Sequence, residues 1–393
     1  STIISSMIDG YSLRRFTEAI YGYYTCELDY NDGMKRAVLV ALIFVIGYLV
    51  LRHALIDPKK LNQHGAEQTR VEKKQAISST IQAQRSLFVP YWQISDSYQP
   101  SDFSSQKYDR YIYFGVAGTT DGIPTDDPGY EHMEGFLSMT KGSRWLTIRM
   151  TDSDVNDEVL ASKDSQLKIV NDATRIAKQY GFEGLVLDFE YSSIFGGMVQ
   201  DVTSFYKVFS EKTKAENLKF AVTLYGDVFY RKRPYDVEQI AKYSDEIMIM
   251  AYDFHKSRGE PGPNFPLSAG KKYGYGYDLL FTDLEKVVPA DKITVIFGMY
   301  GYDWKVDEQG RPITLATSIT TAQVVANYIN KCRNTNCTQL KDNVSGETEI
   351  NYVDEDKKYH IIWFENEESV EKKEKFLRQR GVGSSAFWAY GYF

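Results

Sequence analysis

The stretch GFEGLVLDFEYSS, residues 181–193, sets Asp188 and Glu190 two positions apart at the end of an apolar run. Side chains alternate along a strand, so Val186, Asp188 and Glu190 share one face while Leu185, Leu187 and Phe189 share the other. A rise of about 3.3 Å per residue separates the two acidic Cα atoms by about 6.5–7 Å. Carboxylates that close resist ionising together, so one pKa rises and a proton is retained. A retained proton makes a general acid. On the D-x-E triplet alone, a pair of structural acids is the commoner outcome, and context decides.

That context is a series of β-branched and aromatic runs separated by helical patterns. Eight of them predict strands: SLFVPYWQI (86–94), RYIYFGVAG (110–118), RWLTIRM (144–150), EGLVLDFE (183–190), KFAVTLYG (219–226), DEIMIMAYDF (245–254), KITVIFGMYG (292–301) and SSAFWAYGYF (384–393). Between them, SQLKIVNDATRIAKQYG (165–181) places Leu167, Val170, Ala173, Ile176 and Ala177 at helical spacing and stops at a glycine. The pattern predicts an α/β protein, a (β/α)8 TIM barrel with a small insertion after strand 7. An open doubly wound sheet is the competitor, but VPYWQISDS follows the first strand where a glycine-rich phosphate loop would stand. Barrel active sites lie at the C-terminal ends of the strands, where Asp188 and Glu190 sit.

Upstream, MKRAVLVALIFVIGYLVLRHALI (34–56) has no charge between Ala37 and Leu51. About 20 helical residues span about 30 Å, the thickness of a bilayer core, so the run predicts a transmembrane signal anchor. A cleaved signal peptide, giving a secreted protein, is the alternative; no convincing small-x-small cleavage site follows. Flanking basic residues nearly balance, and the large C-terminal part is placed outside the cell. The expected organisation is therefore a tail or upstream extension (1–33), the anchor (34–56), a polar stalk (57–85) and a catalytic barrel (86–393).

A formal charge of −7, with Lys and Arg scattered, offers no field for a polyanion and excludes nucleic acid as a partner. Cys332 and Cys337 are placed to close a small loop in an oxidising compartment, and Cys26 is left unpaired. Two cysteines at that spacing lack a second ligand pair, and the five histidines form no H-x-x-x-H motif, so neither metal nor cofactor is expected. No oligomeric state is implied.

From about residue 87 to 393 the chain resembles glycoside hydrolase family 18, the chitinase and endo-β-N-acetylglucosaminidase group. The family's strand-four pattern D-G-x-D-x-D-x-E stands here as Glu183, Gly184, Leu185, Val186, Leu187, Asp188, Phe189, Glu190. Its strand-six pattern Met-x-Tyr-Asp stands as Met250, Ala251, Tyr252, Asp253; strand seven is read as ending in YGYDW (300–304), and the last strand carries Trp388. The LDFE and YGYDW forms are closer to the bacterial cell-wall and spore-associated branch. The resemblance implies substrate-assisted cleavage of a β-linked N-acetylglucosamine glycan, chitooligosaccharide or peptidoglycan, with retention of configuration. It implies Glu190 as acid and base, Asp188 as the group orienting the acetamide, and Tyr252 as donor to the acetyl oxygen. Asp253 and Met250 belong to the sugar site, Trp388 to its floor. Tyr91, Trp92, Tyr300 and Trp304 are candidates to extend a stacking surface. The bland alternatives are a core tyrosine for Tyr252 and barrel filling for Trp388. Two departures stand out: the family's middle Asp is Val186, and strand three reads TIRMTDSD instead of Ser-x-Gly-Gly, with Arg149 and Asp152 near the mouth. A membrane-anchored extracytoplasmic glycosidase is thus expected, with a carbohydrate-binding protein of the same fold, or an envelope scaffold, as alternatives.

Overall fold

A computed structural model of the chain describes residues 83–94, 108–191, 198–329, 332 and 337–393. Each predicted run contains a strand, although the first and last end short of their expected bounds, at Pro90 and Trp388. In chain order these are β1 (Gln84–Pro90), β2 (Arg110–Ala117), β3 (Ser143–Met150), β4 (Gly184–Phe189), β5 (Lys219–Tyr225), β6 (Glu246–Ala251) and β7 (Ile293–Gly298). There follow β8 (Tyr300–Val306), β9 (Thr317–Thr320), β10 (Cys337–Lys341), β11 (Thr348–Val353) and β12 (Tyr359–Phe364), then β13 (Ser384–Trp388). Strands β1 to β7 and β13 close into a parallel barrel in the order β1-β13-β7-β6-β5-β4-β3-β2.

Strand alternation sorts the side chains as the period of two requires. Phe88, Ile112, Trp145, Val186, Ala221, Met248, Ile296 and Ala386 form the cluster inside the barrel, while Leu185, Leu187 and Phe189 pack with the surrounding helices. Near the N-terminal end of the strands the interior is closed by a buried ion pair. The Arg110 guanidinium donates two 2.7 Å bonds to Glu246 and a third to Ser86, and lies 4.3 Å from the Trp145 ring centroid.

The helix Lys163–Tyr180 is capped by Ser162, whose side chain accepts from the Ser165 N–H, and ends at Gly181 in the left-handed region (φ 72°). Its buried stripe runs through Gln166, Ile169, Val170, Ala173, Ile176 and Ala177. Leu167, expected on that stripe, is 51% exposed. At about 100° per residue it lies a quarter-turn or more from the stripe's midline, beyond the reach of the core.

The insertion is larger than expected, and YGYDW does not end strand seven. The chain leaves the barrel after Gly298, and β8 to β12 form a five-stranded antiparallel sheet in the order β10-β11-β12-β8-β9. Gly301 permits this departure, because a Cβ there would fall 1.8 Å from the Trp363 carbonyl oxygen across the β8–β12 pair. Cys332 and Cys337 are joined in a disulfide. Among the described residues no helix is long and apolar enough to cross a membrane. The expected anchor 34–56, the tail 1–33 with Cys26, and all but the end of the stalk 57–85 lie outside the described residues.

Arg110→Ala should cost about 3–5 kcal/mol, since it strands Glu246 in a desolvated site without its partner. Denaturant unfolding measures this; a loss below about 1 kcal/mol, the value of an exposed pair, would show that the ion pair does not hold the barrel end.

Candidate active site

Asp188 and Glu190 rise together at the C-terminal end of β4. Asp188 is buried and accepts a 2.5 Å hydrogen bond from Thr223 Oγ1 on β5. Glu190, partly exposed just above, accepts from Tyr225 OH at 3.0 Å. The backbone beneath them is fixed independently of any ligand. Glu190 N–H donates to the Met150 carbonyl, Asn156 Nδ2 donates to the carbonyls of Met150 and Glu190, and Tyr235 OH donates to the Phe189 carbonyl.

Electrostatics follow from that burial. Desolvation lifts the Asp188 pKa to about 7, reinforced by the Glu190 charge and opposed by the Thr223 hydrogen bond. Glu190 is also raised, again by burial first, against the Tyr225 hydrogen bond and the positive charge of Lys256. The pair therefore holds a proton near neutrality. Tyr252, at the end of β6, is pushed well above the ordinary phenol range by burial and by Asp188 and Glu190, so its hydroxyl stays a donor.

These groups line one cavity of about 200 Å³, whose walls include Asp188, Glu190, Tyr252, Asp253, Met250, Tyr300 and Trp388. Trp388 lies over the interior cluster, its ring 4.6 Å edge-on to Phe114 and 5.8 Å from Phe88, and the peptide bond after it is cis. A second hollow of about 60 Å³ shares Glu190, Met250, Tyr252 and Asp253 but is otherwise walled by Tyr225, Gly226, Asp227 and Lys256. A larger hollow of about 650 Å³, lined by Phe387, Val370 and Thr321 among others, holds none of the expected site residues.

Asp253 is held by the inserted sheet. Its carboxylate accepts from Tyr300 OH at 2.5 Å and Tyr302 OH at 2.7 Å, both on β8. Its backbone sits at φ 58°, and its N–H donates to Asn264 Oδ1 at 2.8 Å. Asn264 in turn donates to the carbonyls of Gly298 and Tyr300. The N–H groups of Asn264 and Phe265 both donate to the fully buried carboxylate of Glu347, which pairs with Lys373 at 2.7 Å.

The remaining expected residues fare differently. Trp92 is 46% exposed with its ring 6.2 Å from Trp388, at the rim of the cavity. Tyr91 lies beneath the Arg149 guanidinium, 4.9 Å from its ring, and does not line the cavity. Trp304 is no stacking residue: it is fully buried in the inserted sheet against Val306, Ala316 and Trp363, with its indole N–H on the Gly259 carbonyl. Tyr300 spends its hydroxyl on Asp253. Arg149 pairs with Asp127 at 3.0 Å, and Asp152 caps the helix Ser153–Ala161. Thr223 and Tyr225 were missed, although alternation along KFAVTLYG points both toward the Asp188 face. Among the described residues no group of three or more His, Cys, Asp or Glu side chains is placed to hold a metal ion.

The model of Glycosyl hydrolases family 18 matches residues 89–392. The uncharacterized glycosylase YvbX of Bacillus subtilis is 25% identical over 245 residues, 61% of this chain and 66% of that protein. The crystal structure of the Bacillus cereus spore cortex-lytic enzyme SleL superposes with a TM-score of 0.63 at 19% identity, covering 79% of this chain and 71% of that one. A family 18 chitinase from Cycas revoluta in complex with (GlcNAc)3 gives 0.66 at 18% identity, covering 78% and 95%. The match takes in 53–66% of the length of the first curated relatives.

The raised Asp188 pKa has a signed consequence. From 3.8, its ordinary value, to about 7 only the folded chain keeps this proton, so stability contributed by protonated Asp188 is full below that window and lost as pH rises through it. Unfolding free energies measured between pH 4 and 8 should fall less steeply for Asp188→Asn than for the wild type. Parallel pH profiles would show that Asp188 ionises normally in the fold.

Proposed function

The chain belongs to glycosyl hydrolases family 18, and from that premise we propose that it is a retaining glycosidase cutting the β-linked bond on the reducing side of an N-acetylglucosamine residue. The observation that carries this reading is the pair of raised carboxyl groups, Asp188 and Glu190, sharing one cavity with Tyr252 and Trp388. Its substrates are chitooligosaccharide or the glycan strands of peptidoglycan. The similarity to a cortex-lytic enzyme and to a chitinase supports that range.

Both acids stand on one strand, on one side of the sugar, so neither is placed as a backside carboxylate nucleophile. The substrate's own acetamido oxygen attacks the anomeric carbon as the bond to the leaving oxygen breaks. Glu190 delivers its proton to that oxygen. Asp188 accepts the acetamide N–H, and its charge stabilises the cyclic cation that forms. Tyr252, held protonated, donates to the acetyl oxygen. Glu190 then takes a proton from the water that opens the intermediate from the face the leaving group vacated, which restores the starting configuration. Asp253 binds the sugar and Trp388 stacks beneath it.

We also propose that residues 34–56 hold the protein in a membrane with the barrel outside, on the strength of the uncharged run Ala37–Leu51. The chain should then stay with membranes through an alkaline carbonate wash; appearance in the soluble fraction would favour the secreted form.

Glu190→Gln should lower turnover of chitooligosaccharides or peptidoglycan glycan by about 10²–10⁴, the usual worth of a positioned acid. Its affinity for the same glycans should be retained. Wild-type products followed by proton NMR should appear first as the β anomer. Equal turnover by Glu190→Gln, or initial α product, would reject the mechanism.

A further inference from the structure

The two hollows that meet at Glu190 differ in charge. One holds Asp188, Tyr252 and Trp388, where the sugar that loses its aglycone is activated. The other is walled by Tyr225, Gly226, Asp227 and Lys256. Glu190 belongs to both, so on the glycosidase reading the second hollow, at about 60 Å³ too small to enclose a sugar ring, borders the leaving side of the bond that Glu190 protonates.

Its one acid outside the shared wall, Asp227, is already neutralised. Arg233 donates to both Asp227 carboxylate oxygens, at 2.7 and 3.0 Å, and Arg231 donates to one of them. The Arg233 guanidinium also lies 3.7 Å from the Tyr225 ring centroid, which keeps this wall rigid. Two arginines against one carboxylate leave a positive surplus. Lys256 adds to it: exposed on the loop after β6, it forms no ion pair among the described residues, although its charge reaches Glu190. Lys232 and Arg258 are exposed as well, with Glu260 the one acid between Lys256 and Pro263. Asp253, the other acid nearby, accepts from two neutral tyrosine hydroxyls.

We propose that Lys256, backed by the arginine-neutralised wall at Asp227, recognises a carboxylate carried by the sugar on the leaving side of the scissile bond. This rests on the glycosidase reading above and narrows it. A neutral chitin chain has no group for this cation; a hexosamine bearing a carboxyalkyl ether, as in the muramic acid of peptidoglycan, has one within a single ring of the bond. A carboxylate on a peptide attached to that ether is the other source of the same chemistry.

Binding by the full chain carrying Glu190→Gln, measured by calorimetry, separates the possibilities without requiring turnover. The ligands are peptide-free glycan strands with free lactyl carboxylates, the same strands with those carboxyls reduced to alcohols, and strands still bearing their peptides. The carboxylate form should bind about tenfold more tightly than the reduced form, as a hydrogen bond to a charged group warrants. Adding Lys256→Met should bring the two within about twofold of each other. Peptide-bearing strands that bind as weakly as the reduced ones assign the contact to the lactyl group; strands that bind as tightly, in a Lys256-dependent way, assign it to the peptide. Equal affinity for the first two ligands, or a preference that survives Lys256→Met, overturns the proposal. A Lys256-dependent preference in a wild-type chain that releases no product would sink the glycosidase reading alone. Turnover without the preference would sink this one alone.

Discussion

The two carboxyl groups of Asp188 and Glu190, whose pKa values burial raises, are the constraint around which the described fold is arranged. Two carboxyl groups two residues apart on one strand cannot both ionise cheaply, and burial makes the penalty larger. Val186 below Asp188 offers no polar side-chain atom, and Thr223 donates to Asp188 from β5. The position of β4 cannot drift without losing that bond. The carbonyls at its end are therefore tied by Asn156 and Tyr235, and the opposite end of the barrel is closed by Arg110 and Glu246. The site's acid strength is in this sense a property of the whole barrel, because the barrel sets the dielectric in which the proton is held.

The inserted sheet applies the same logic to Asp253. A non-glycine residue at positive φ persists only where its surroundings over-determine it. Here Tyr300, Tyr302 and Asn264 do so, and Asn264 is locked by Glu347. Glu347 is affordable in the interior because Lys373 meets it. Lys373 is shared with Glu365, which leaves one buried negative charge too many. Burial raises the Glu365 pKa to about 7 against the pull of Lys373, and its Oε1 has no hydrogen-bond partner. The chain from Lys373 to Asp253 thus runs through buried, geometrically specific bonds, and the insertion acts as part of the site's scaffold.

Much of this was legible because it depends on short periods. Each barrel strand announces itself by β-branched and aromatic runs, and alternation alone puts Asp188 and Glu190 on the interior face. Thr223 and Tyr225 were equally legible by that rule, but a Thr and a Tyr in a strand also fit ordinary β propensity and draw no notice. Trp304 shows the limit. Its place after two tyrosines suggested a sugar platform, yet the register of β8 against β12 turns it into the sheet's own core. Such pairing is set by residues some 60 positions apart, which no local pattern reports. Leu167 fails for a smaller reason: a helical repeat drawn through five residues tolerates an error in its midline that burial does not.

The departures from the family's sequence pattern are confined in a way that physics explains. Val186 replaces an acid beneath Asp188, which shortens the run of coupled carboxyls but leaves Asp188 and Glu190 in place, as the proposed acid chemistry requires. Strand three replaces its Ser-x-Gly-Gly, and there Arg149 is consumed by Asp127 and the Gly115 carbonyl. That side of the mouth is built around an internal ion pair. On the side of β5 and β6 the balance differs, since two arginines meet Asp227 and Lys256 forms no ion pair among the described residues. In the proposed mechanism, the groups that would hold the reacting sugar are fixed by strand positions and backbone bonds, where a change costs the fold, whereas Lys256, proposed to meet the leaving side, sits on a loop where selectivity would be free to vary.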